Sequence, residues 1–203
     1  MRKIVASALA MLSLTMAAAC GVAGSETTST TKATQTTAAE TTTTETPSDV
    51  VSVTEWADGF CETFGDWLDG IKQAGDNAGT GLSGGDLEGA KEAIVGLFDS
   101  ASSVTRTLLT SLSEGGSPDI AKGDEFVEDL MGKFEDFDQA ISAAKDGTNA
   151  LDTTDRAKFG KDVKALLATF DKETADVGDS FGELDTKYPS SELQAALSSC
   201  DSL

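Results

Sequence analysis

Large apolar residues recur three and four positions apart in four successive stretches of this 203-residue chain, and that spacing excludes most folds. In the first stretch Val53, Trp56, Phe60, Phe64, Trp67 and Ile71 fall on one stripe. The second carries Leu87, Ile94, Leu97, Ala101, Val104, Leu108 and Leu112, and the third Ile120, Val127, Leu130, Phe134, Phe137, Ile141 and Ala144. The fourth carries Phe159, Val163, Leu166, Phe170, Val177, Phe181 and Leu184. A period near 3.6 is that of a helix with one buried face, and alternation of period two is too rare here for a sheet.

Start and turn signals agree with this pattern. Ser52-x-x-Glu55 forms a capping box ahead of the first stripe, and Ser117-Pro118 reads as a cap and first helical residue of the third. The segments GDNAGTGLSGGD, SEGGSPD, DGTNALDTTD and DTKYPSS separate the stripes, and SSELQAALSSC follows as a short fifth piece. Four amphipathic helices with short links predict an all-α, up-down-up-down four-helix bundle over residues 49–203.

Cys61 borders the apolar stripe of the first helix and Cys200 ends the fifth piece. A disulfide between them would clip the short C-terminal helical segment back onto the first helix. Gly59, Gly65, Gly70 and Gly75 fall within the first helix, where each permits close packing or weakens the helix.

The first 48 residues are of another kind. Met1-Arg2-Lys3 precedes an apolar run from Ile4 to Ala19, the layout of a secretory signal peptide over residues 1–19 and short for a membrane span of about 20 residues. Residues 21–48 hold 12 Thr and 3 Ser, with no aromatic residue. Such a tract cannot bury enough apolar surface to offset its backbone entropy, so it is expected to act as a disordered tether reaching about 30 Å. Ala17-Ala18-Ala19-Cys20-Gly21 resembles the lipobox of bacterial lipoproteins, although Ala17 stands where that pattern prefers Leu. The resemblance covers only the first 20 or so residues. It implies cleavage before Cys20, a diacylglyceryl anchor on that cysteine, and residence on the extracytoplasmic face of the cell membrane. The same alanines also fit the A-x-A site of ordinary secretion. With Cys20 lipidated, two of the three cysteines remain, and an exported chain can pair them.

Charge narrows the partners. The chain carries 35 acidic and 15 basic residues, a net charge of −20. A surface so negative repels phosphate backbones, so no nucleic acid partner is expected. The chain has no histidine, which removes the usual base of nucleophilic triads and the Glu-x-x-His pairs of di-iron bundles. Gly79-x-Gly81-x-x-Gly84 and Gly81-x-Ser83-x-Gly85 match a dinucleotide fingerprint and a nucleophile elbow, but both motifs require a preceding strand where a helix is expected. They read as a helix-helix connector.

Asp124, Glu125, Glu128 and Asp129, with Glu135, Asp136 and Asp138, crowd one helix without matching a calcium-binding loop. No cofactor or metal is expected, and no enzyme; a carboxylate-only hydrolase is the residual catalytic alternative. Two binding features stand out. Trp56, Phe60 and Trp67 share a face and are candidates to line an apolar ligand pocket. Arg156, Lys158, Lys161 and Lys164 form a basic cluster suited to pairing with the acidic first helix or to an acidic partner. The reading that unites these features is a noncatalytic, membrane-anchored protein that binds or scaffolds an envelope protein or wall component, with an apolar-ligand carrier as the alternative.

Overall fold

A computed structural model describes residues 50–82, 86–198 and 200. Five helices account for most of them: α1 Val53–Leu82, α2 Leu87–Glu114, α3 Gly123–Asn149, α4 Arg156–Lys187 and α5 Ser191–Leu197. A two-residue strand β1, Val50–Val51, pairs in parallel with β2, Ser117–Pro118.

Four of the five helices, all but α3, begin where a polar side chain satisfies one or two of the first N–H groups, which have no partner inside the helix. Ser52 Oγ accepts from Glu55 N at 3.2 Å, Asp86 from Gly89 N at 2.6 Å, Asp155 from Ala157 N and Lys158 N, and Ser190 from Leu193 N at 3.2 Å. Consecutive long helices run antiparallel. Between α1 and α2, Trp67 meets Thr105 while Gly81 meets Ala93. Between α2 and α3, Arg106 reaches Asp138 while Asp99 reaches Lys145. Between α3 and α4, Asp129 holds Lys187 while Gly147 faces Leu166.

The third helix starts later than Ser117-Pro118 predicts. Those two residues pair with β1, Asp119 N donates to Val51 O at 2.9 Å, and Ile120 N donates back to Pro118 O at 2.7 Å. The chain then turns through Lys122 at a positive φ of 65° and enters α3 at Gly123. A Cβ on Gly123 would lie 2.1 Å from the Pro118 carbonyl oxygen, so only glycine lets the helix begin so close to the turn. The first helix also outruns its turn signals. Residues expected in a connector stay helical through Leu82, and Gly81 lets α1 lie against Ala93 of α2.

The predicted stripes of α1 and α3 are buried, apart from a half-buried Ile120 that lies ahead of α3. In α4 the burial is sparser: Val163, Leu166 and Val177 are half-buried, while Phe159, Phe170, Phe181 and Leu184 are buried. Cys61 and Cys200 form a disulfide that fastens the end of the α5 segment to α1, with Leu193 and Leu197 of α5 buried beside it.

Candidate functional site

The aromatic residues of α1 form a ladder, since a helix places residues four and three apart over one another. Trp56 stacks on Phe60 at 5.3 Å between ring centroids, Phe60 on Phe64 at 5.4 Å, and Phe64 on Trp67 at 5.2 Å. Rings from α3 meet this ladder edge-on: Phe126 against Trp56, and Phe134 and Phe137 against Trp67. Phe181 of α4 closes on Phe134 at 5.0 Å. Trp56, Phe60 and Trp67 are all buried.

Each indole N–H has a protein acceptor. Trp56 Nε1 donates to Gly116 O at 3.1 Å, and Trp67 Nε1 donates to Thr105 Oγ1 at 3.0 Å. Thr105 is itself fully buried, and its hydroxyl donates to Ala101 O at 2.8 Å. The three candidate pocket residues therefore pack against rings: Phe60 against those of α1, and Trp56 and Trp67 against those of α1 and α3.

The basic cluster lies at the start of α4, with Arg156, Lys158, Lys161 and Lys164 all exposed. Lys158 pairs with Asp162 on its own helix at 2.7 Å. Cys20 and the rest of residues 1–49 lie outside the described residues, as do residues 83–85 of the glycine-rich motifs.

Acidic residues of α3 that lie close together in sequence turn to three different faces. Asp138 turns to α2, accepting from Ser102 and Arg106. Asp129 turns to the end of α4, where Lys187 and Tyr188 both donate to it. Those bonds, Lys187 first, hold the Asp129 carboxyl below its ordinary range, and the same contact holds the Lys187 ammonium above its own. Asp124, Glu128 and Glu135 share a third face, which lines a cleft of about 700 Å³ between α3, the end of α2 and β2. Leu112, Val127 and Met131 supply apolar surface in the same cleft, and Glu114 joins from the α2 side.

Sequence reading missed this cleft. Its one sequence signal is the spacing of Asp124, Glu128, Met131 and Glu135, which puts carboxylates and an apolar side chain on a single stripe. Among the described residues no three or more acidic or cysteine side chains are arranged to hold a metal ion. No described helix is long and apolar enough to cross a membrane. Compared with protein-family models, with curated proteins and with solved structures, the chain matches none.

Proposed function

We propose that this is a noncatalytic extracytoplasmic protein, anchored to the membrane through a lipid on Cys20, that binds or scaffolds an envelope protein or wall component. The observation that carries the reading is the buried Cys61–Cys200 disulfide. Structural disulfides persist in exported proteins and are rare in a reducing cytosol. The bridge supports export without appeal to the first 49 residues, and the lipobox resemblance of Ala17-Ala18-Ala19-Cys20 adds the anchor. We further read the antiparallel contacts of α1 to α4 as an up-down-up-down four-helix bundle, with α5 as a covalently held strap.

A binding role follows from how the side chains are employed. The aromatic residues are engaged in packing, so carriage of an apolar ligand at Trp56, Phe60 and Trp67 would require the ladder to part. The acidic exterior presents charge that is largely unopposed, which suits recognition of a cationic surface.

Intact mass of the protein taken from its own membranes tests the reading. The expected species begins at Cys20, carries a diacylglyceryl group and is lighter by two hydrogens for the disulfide. Cross-linking in those membranes is then expected to recover one reproducible envelope partner. An unlipidated chain in the medium would overturn the anchor, and a free Cys61 thiol would remove the main support for export.

A further inference from the structure

We infer that the cleft between α3, the end of α2 and β2 is the docking site for a short cationic, amphipathic peptide segment. The inference rests on the partner-binding reading and names the chemistry of the partner. Leu112 and Val127 are buried in the wall of the cleft, and Met131, half-buried, supplies most of the apolar surface that these side chains present there. Glu114, Asp124, Glu128 and Glu135 are all exposed along its edges. None of these four is paired with a basic side chain among the described residues, and no basic side chain lines the cleft.

Charge and shape together select the occupant. Like charges along one groove repel, and a ligand bearing ammonium or guanidinium groups relieves that repulsion on binding. An inorganic cation would satisfy the carboxylates but leave the apolar surface in water. A segment alternating basic and apolar residues satisfies both, because successive side chains of an extended strand point to opposite sides. From Asp124 to Glu135 the helix rises about 16 Å, which an extended chain of about five residues spans. The volume is within the range of sites that hold small ligands, about 300–1,000 Å³.

The test uses the whole disulfide-bonded protein and the capped peptide Lys-Leu-Lys-Leu-Lys, followed by ligand-observed NMR at about 0.15 M salt, where diffuse attraction is largely screened. Replacing Glu128→Gln with Glu135→Gln is expected to weaken binding about five-fold, the loss of two partly exposed ion pairs. The control pair Asp179→Asn with Glu183→Gln removes the same charge from exposed positions on α4 and is expected to change affinity less than about two-fold. The peptide Lys-Ser-Lys-Ser-Lys is expected to bind at least about ten-fold more weakly, since it buries no apolar side chain. Equal weakening by both pairs, or equal affinity for the two peptides, would overturn the assignment. Cross-linking in the native membranes separates the two readings. A partner recovered equally with and without the Glu128 and Glu135 substitutions leaves partner binding standing and removes the cleft.

Discussion

Thr105→Val tests the state of the aromatic core and, through it, whether Trp67 faces protein or a fillable space. The two side chains have nearly the same shape, but valine removes the only acceptor shown for the Trp67 indole N–H. Trp67 is 4% exposed and Thr105 0%, so water has no ready route to replace that acceptor. A buried donor left without a partner costs about 1–3 kcal/mol, while the valine saves part of the desolvation of the lost hydroxyl. A net loss of about 1–2 kcal/mol is expected, and with a urea m-value of about 1–3 kcal/mol/M the midpoint falls by about 0.5–1 M. Far-UV circular dichroism is the suitable probe, because the companion variant alters a tryptophan. In a Trp67→Phe background there is no indole to strand, so Thr105→Val is expected to be close to neutral. The coupling energy of that double-mutant cycle reads the buried bond directly. A coupling near zero would refute the reasoning. It would mean that the indole finds water, that the space beside Trp67 is open, and that the ligand-carrier reading regains its footing.

Four further perturbations follow from other parts of the fold. Gly59→Ala meets nothing within 4 Å and is expected to raise stability by about 0.5–1 kcal/mol in urea unfolding. Gly70→Ala places a Cβ 2.7 Å from Val104 Cγ1 and 3.2 Å from Val104 Cβ, which a stiff β-branched neighbour cannot clear by rotation. Overpacking of about 1–3 kcal/mol then exceeds the gain in helix propensity, and stability falls; equal effects at the two glycines would disprove the close packing of α1 on α2. Removing the disulfide with Cys61→Ser and Cys200→Ser is expected to cost about 2–5 kcal/mol and to speed amide hydrogen exchange in α5, whereas unchanged α5 protection would show that the strap holds without its bridge. The Asp129 carboxyl titrates below its ordinary value of 3.8 in the folded protein. Its contribution is complete above that value and is lost as pH falls through the lower folded one. Asp129→Asn is therefore expected to lower stability at neutral pH and to flatten the acid limb below about pH 4; an acid limb identical to that of the parent protein would argue against the Lys187–Asp129–Tyr188 contact.

The helical class was legible because burial follows the apolar stripes almost residue by residue in α1 and α3. Three core positions were passed over because they are threonines. Thr105, Thr148 and Thr174 each continue a stripe four residues beyond Ala101, Ala144 and Phe170, and each hydroxyl donates to that residue's carbonyl. A polar group that satisfies itself within its own helix can be buried, so stripe position outweighs residue polarity there. Ser117-Pro118 misled for another reason. The same dipeptide suits a helix start and an edge strand, and only the distant β1 decides between them. The division of the α3 acids among three faces follows from the angular spacing of the helix, but the partner of each face depends on which helices neighbour α3. The cleft therefore came to light only with the tertiary arrangement.

The disulfide and the charge belong to one argument. A domain this acidic repels itself, and the repulsion grows as salt falls, because fewer counterions screen it. The surface ion pairs offer little compensation: Lys72–Asp76, Lys158–Asp162 and Lys172–Asp176 link neighbours four apart on one helix, and Arg106–Asp138 and Lys145–Asp99, which join α2 to α3, are largely open to screening water. Contacts that do join helices at the end of α4 run through Lys187, Tyr188 and Asp129, and they weaken with acid as worked out above. The Cys61–Cys200 bridge answers to neither salt nor pH in the physiological range. It holds Leu193 and Leu197 in the core whatever the ionic surroundings. An envelope protein facing a medium that the cell does not control gains most from a covalent fastening, and a cytosolic one could not keep it oxidised. Stability measured against ionic strength, with and without the bridge, follows from this. The oxidised protein should lose little between about 0.15 M and 0.01 M salt, and the bridge-free variant should lose distinctly more, because its strap is held on the acidic α1 only by packing while the net negative charge of the domain is less screened. Parallel losses in the two proteins would show that the bridge and the acidic surface are unrelated features of the fold.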